Sequence, residues 1–156
     1  MTAGLTPAAL IDELCSALAP ARAEALRAAY DLVRRVIPAG YEEGVSGRMV
    51  TWSVPLARYP KTYNKQPLMA VALAATKGHN ALHLPLLYMS AEADAAFRSA
   101  YADAGRKLDM GKGCVRFVTP EGLDEAAVTT AVGGTAVDDF IAAYEAARRG
   151  AESPSA

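Results

Sequence analysis

The run from Gly44 to Leu86 constrains this chain more than any other stretch. It opens G-V-S-G-R-M-V-T-W-S-V-P-L, passes through an aromatic loop Y-P-K-T-Y-N-K-Q-P, and continues L-M-A-V-A-L-A-A-T-K-G-H-N-A-L-H-L-P-L. Met49 to Val54 alternates, with Val50, Trp52 and Val54 on one side, which is the pattern of a half-buried strand. Leu68 to Ala75 is almost continuously apolar, as a central strand is. Lys77-Gly78-His79-Asn80 reads as a turn, with glycine free to take a positive φ. Ala81 to Leu87 follows as the hairpin partner, and Pro85 places it at an edge or beside a bulge. Three strands in succession, the last two joined by a tight turn, read as a meander and call for an antiparallel sheet.

Helices flank this run. Thr6-Pro7 is a capping residue followed by proline at a first helical position. Leu10, Leu14 and Leu18 then recur at helical spacing. Leu26, Tyr30, Val33 and Ile37 form the apolar face of a second helix, which Pro38-Ala39-Gly40 ends. Ser90 caps a third helix carrying Ala93, Phe97, Ala100 and Tyr101. A short strand runs from Cys114 to Val118. Leu123, Val128 and Val132 mark a further helical face, broken at Gly133-Gly134, and Val137, Phe140, Ile141 and Tyr144 mark the last. The order α-α-β-β-β-α-β-α-α predicts an α+β fold: a single domain with a small, mainly antiparallel sheet packed against helices. The domain is expected over residues 1–149, with 150–156 a polar, disordered tail.

The bulk chemistry excludes several classes. The chain has 156 residues, a formal net charge of −1 and a pI near 6.1. That balance carries no electrostatic footprint for nucleic acid. The basic pairs Arg34-Arg35 and Arg148-Arg149 sit near helix C-termini, where cations complement the helix dipole. The longest apolar run, Leu68 to Ala75, is too short to cross a bilayer. The N-terminal stretch has no basic lead and is interrupted by Asp12 and Glu13, so it does not read as a signal peptide. A cytoplasmic protein is the expectation. Cys15 and Cys114 read as buried free thiols.

Several of these segments together resemble the YdhG-like proteins, a bacterial family of unknown function placed near frataxin-like folds. The resemblance rests on Val36-Ile37-Pro38, the acidic Tyr41-Glu42-Glu43-Gly44, the strand from Met49 to Pro55, the hairpin A-A-T-K-G-H-N-A-L-H-L, and G-K-G-C-V-R-F-V followed by a helix. It spans about Pro20 to Arg149. Gly47-Arg48-Met49-Val50 departs from the G-M-P-type segment of many relatives. Some relatives are described as iron chaperones, so the resemblance implies iron as a possible cargo.

Three groups of residues are candidates for function. Glu42 and Glu43 offer oxygen ligands of the kind hard cations take; the competing reading is two solvated glutamates at a turn. His79 and His83 flank the hairpin, roughly 13 Å apart if both lie along one strand, which is too far for one ion. Arg48, Trp52, Tyr59, Tyr63, Lys77 and His79 combine aromatic walls with cations, the makings of a small-ligand pocket; the competing reading is aromatic core with cations reaching to water. No phosphate loop and no nucleophile elbow is present. The functional expectation is a non-enzymatic domain that binds a small molecule or a protein partner at the open side of the sheet. A homodimer through that face and a frataxin-like iron chaperone using surface carboxylates stand as alternatives.

Overall fold

The computed structural model describes residues 5–62 and 65–152. Helices α1 (Pro7–Ser16) and α2 (Pro20–Val36) lead into β1 (Glu42–Ser46), β2 (Met49–Val54), β3 (Leu68–Ala75) and β4 (Asn80–His83). Then come α3 (Pro85–Met89), α4 (Ala91–Asp103), β5 (Cys114–Phe117), a 3-10 turn at Pro120–Gly122, α5 (Glu125–Gly133) and α6 (Val137–Glu152). The five strands form one antiparallel sheet in the order β1-β2-β3-β4-β5. The α+β architecture expected from the sequence is the one observed.

Three elements differ from expectation. Glu42 and Glu43, read as a turn, belong to an additional strand that forms a hairpin with β2 through Gly47-Arg48. Gly47 takes φ +59° at the first of the two turn positions, where glycine costs least in a two-residue hairpin. The strand expected over Ala81 to Leu87 stops at His83, because Pro85 has no N–H for the sheet and instead starts α3. The last helix also continues to Glu152, into the stretch expected to be a tail; residues 153–156 lie outside the described residues.

The register sorts the sheet into two faces. Val50 lies opposite Leu73, Leu73 opposite Leu82, and Leu82 opposite Val115, while Trp52 faces Val71. These residues share one continuous core with Leu10, Ile11, Leu14, Leu26, Tyr30 and Val33 from α1 and α2. The core extends beyond the sheet into α4, α5 and α6 through Phe97, Tyr101, Val128 and Phe140. Asn80 is fully buried; its Oδ1 accepts from Arg22 and its Nδ2 donates to the Arg22 carbonyl at 3.0 Å, so the β3–β4 turn is latched to α2. On the opposite face Gly44, Thr51, Ala72, His83 and Cys114 form one cross-strand row. Ala72, Ala74 and Ala81 there are buried among larger neighbours but stand outside the continuous core. A β-bulge between Trp52 and Ser53 leaves Ala70 as the extra residue on β3 and bends the strands where the β2–β3 loop begins.

Gly113 fixes how β5 meets α3. It takes φ +68°, and a Cβ there would stand 2.9 Å from the Leu84 carbonyl oxygen. Its own carbonyl accepts the Leu84 N–H at 2.6 Å. Gly113→Ala is expected to destabilise the fold by about 2–3 kcal/mol, combining backbone strain with the clash. Gly47→Ala, with open space around its Cβ, should cost only about 1 kcal/mol. Urea unfolding followed by the emission of the single tryptophan separates the two, and equal losses would contradict this account of Gly113.

Candidate functional site

The β2–β3 connection, Pro55 to Pro67, is long for a loop without secondary structure, and such loops usually carry function. Its first part is fastened to α6. Arg58 pairs with Asp138, and the Tyr59 hydroxyl donates to Glu145 at 3.0 Å. The Tyr59 ring stands edge-on to Tyr144 with centroids 6.0 Å apart, a favoured aromatic geometry. Further along, Thr62 is buried and its hydroxyl donates to the Gln66 carbonyl at 2.7 Å. The described parts of the loop are therefore held beside the open face of the sheet.

Between this loop and strands β1 to β3 lies a groove of about 600 Å³, within the range of small-molecule sites. Gly44, Thr51, Ser53 and Met69 line its sheet side. Thr62 and Gln66 come from the loop, while Met89 and Tyr144 belong to α3 and α6. Five residues with side-chain hydroxyls (Ser46, Thr51, Ser53, Thr62 and Tyr144), Gln66 and the two glutamates of β1 supply its polar lining, and no lysine, arginine or histidine among the described residues lines it. All five residues of β1 border the groove.

The residues singled out from the sequence go to different places. Trp52 is 1% exposed and faces the helices, so it lies on the other side of the sheet from the groove floor. Glu42 and Glu43 are neighbours on a strand and their side chains take opposite faces. Glu42 is exposed. Glu43 turns toward α2, where its carboxylate accepts from the Trp52 indole N–H at 3.1 Å and the Tyr30 hydroxyl at 3.2 Å. It also pairs with Arg34 at 3.1 Å. The two carboxylates thus do not converge on one ion, and no group of three or more His, Cys, Asp or Glu among the described residues is placed to hold a metal. Arg48 sits in the β1–β2 turn, paired with Glu13 at 2.9 Å. Tyr59 braces the loop against α6. Lys77 and His79 lie on the β3–β4 turn, and His79 borders a separate depression of about 500 Å³ with Asp109 and Arg116. Tyr63 lies outside the described residues.

The groove's main residues carry no motif. Their signal was the alternation itself: once Val50, Trp52 and Val54 go inward, Thr51 and Ser53 must go outward. Burial tunes the ionisable groups nearby. His83 is held below its ordinary 6.5 by desolvation, and its cross-strand neighbour Cys114 is pushed up for the same reason. Burial, followed by the charge of Glu43, raises the Tyr30 phenol.

Comparison with family models, with curated proteins and with solved structures finds no match to this chain.

Glu43→Ala would leave the buried indole N–H of Trp52 without its acceptor and should cost about 2–3 kcal/mol. Glu42→Ala should stay within about 0.5 kcal/mol. Urea midpoints read by Trp52 emission test the pair, and a Glu42 loss as large as the Glu43 loss would refute this division of roles. For His83, burial favours the neutral imidazole in the folded state. Its stabilising contribution is therefore complete above about pH 6.5 and is lost as pH falls through the lower folded value. The unfolding midpoint should drop between pH 7.5 and 5.5 in the native protein and drop less in His83→Asn.

Proposed function

We propose that this chain is a non-enzymatic cytoplasmic binding domain of YdhG-like fold whose binding site is the groove between the open sheet face and the Pro55–Pro67 loop. The observation that carries this reading is the groove's lining: hydroxyl-bearing residues and Gln66 around the exposed Glu42, with no lysine, arginine or histidine among the described residues. Small pockets use a few placed polar groups to orient a largely apolar ligand. Met69, Met89 and Leu68 supply adaptable apolar surface here. Glu42 sets the charge preference, so the groove suits neutral or cationic amphipathic molecules and disfavours anions. The same geometry supports binding at the groove over iron handling by Glu42 and Glu43, because Glu43 is committed to Trp52, Tyr30 and Arg34.

Amide chemical-shift mapping tests this with three probes of one shape: benzylamine, benzyl alcohol and benzoate. Benzylamine and benzyl alcohol should shift Gly44, Thr51, Ser53 and Met69, benzylamine at the lowest concentration, and benzoate should not. Ser53→Trp should abolish the shifts by filling the groove. Shifts confined to the His79–Arg116 depression, or none at millimolar probe, would defeat the reading.

A further inference from the structure

The two edges of the sheet are not equivalent. The outer edge of β5 is already occupied: the Gly111 N–H donates to the Cys114 carbonyl at 2.9 Å, the Arg116 N–H donates to the Asp109 carbonyl at 2.8 Å, and Met110 bridges Val115. The outer edge of β1 is open. Among the described residues, no backbone hydrogen bond from outside the sheet reaches Glu42–Ser46. Alternate residues of an edge strand direct N–H and C=O groups away from their neighbour, which makes a template for one more strand.

We propose that the occupant of the groove is an extended peptide segment carrying a lysine or arginine, added as a sixth strand along β1. This rests on the reading of the groove as the binding site and names its partner class. Three observations converge on it. The groove is bordered by every residue of β1, so backbone pairing and side-chain contact are available together. The adjoining floor is built of small residues, Gly44 in β1 and Thr51 and Ser53 in β2, which leaves clearance for the side chains of an added strand. The charge beside the edge is the Glu42 carboxylate, exposed and without a hydrogen bond or ion pair among the described residues, and no cation offsets it within the groove. Charge complementarity therefore selects a basic segment. It also disfavours a second copy of β1, which would bring another acidic edge to an acidic edge. Strand addition of this kind takes affinity from main-chain hydrogen bonds and specificity from side chains on alternate positions.

The test uses the full chain and two capped peptides, KVTVK and EVTVE, followed by amide chemical shifts and by titration. KVTVK should shift the amides of Glu42–Ser46 together with Thr51 and Ser53, and EVTVE should bind at least about fivefold more weakly. Glu42→Gln should weaken KVTVK by about threefold to fivefold, the scale of an exposed ion pair. N-methylation of alternate peptide nitrogens on the pairing edge should weaken it by about tenfold or more, since each methyl group removes a backbone donor from the ladder. Binding that survives N-methylation overturns strand addition. So does equal binding of both peptides, or a concentration-dependent dimer whose shifts map to β1. If KVTVK fails while benzylamine still shifts the groove floor, strand addition falls and the groove reading stands. If both probes fail, both readings fall.

Discussion

Glu43 is where the edge of the sheet is joined to the helix layer. Its carboxylate accepts from an indole on β2 and a phenol on α2 and pairs with a guanidinium one turn further along α2. An ionised acceptor of this kind makes stronger hydrogen bonds than neutral ones do. It also solves a packing problem, since Trp52 is the largest side chain in the core and its N–H has to find an acceptor once buried. The ring of Tyr30 lies 6.1 Å from that of Trp52 at a tilt, and Arg34 stacks 5.3 Å over Tyr30. One cluster thus sets the angle between α2 and the first hairpin. With that hairpin fixed, β1 has one face committed to the helices, and the position of its free edge follows.

The same alternation that commits one face releases the other. Every residue that turns Val50, Trp52 and Val54 toward the helices turns Thr51 and Ser53 away from them. Helices α1 and α2 cover one side of the sheet, while the Pro55–Pro67 loop borders part of the other together with Met89 of α3 and Tyr144 of α6. Its anchorage to α6 matters for that reason. Tyr59 and Arg58 connect the start of the loop to a helix that belongs to the main core through Phe140 and Tyr144.

Much of the architecture was legible in the sequence because apolar periodicity is strong where burial is strong. Leu10, Leu14, Leu26, Tyr30 and Val33 identify the helical faces, and Val50, Trp52 and Val54 identify an inward strand face, and all are core residues. β1 was illegible because E-E-G-V-S has one large apolar residue in five and none of its residues is fully buried. The end of β4 was misplaced because apolar residues continue across Leu84-Pro85-Leu86-Leu87, first in a strand and then in a helix, and composition alone does not mark the change. The site was read less well than the fold. Aromatic and charged residues draw attention in a sequence, yet Trp52 and Glu43 satisfy each other inside, while the groove is made of serine, threonine and methionine, whose chemistry becomes specific only when they converge.

The sealed edge at β5 has a consequence for assembly. Sheet proteins polymerise when each added unit offers a fresh edge of the type just consumed. Here the segment from Asp109 to Gly111 closes one end of the sheet, so a copy attached at β1 presents no second open edge of its own. When the added unit is another copy joined through β1, its far edge is again the closed β5, so backbone pairing of copies stops at two chains. The fold carries its own chain terminator, and an exposed, acidic edge strand is tolerated without the hazard of fibres.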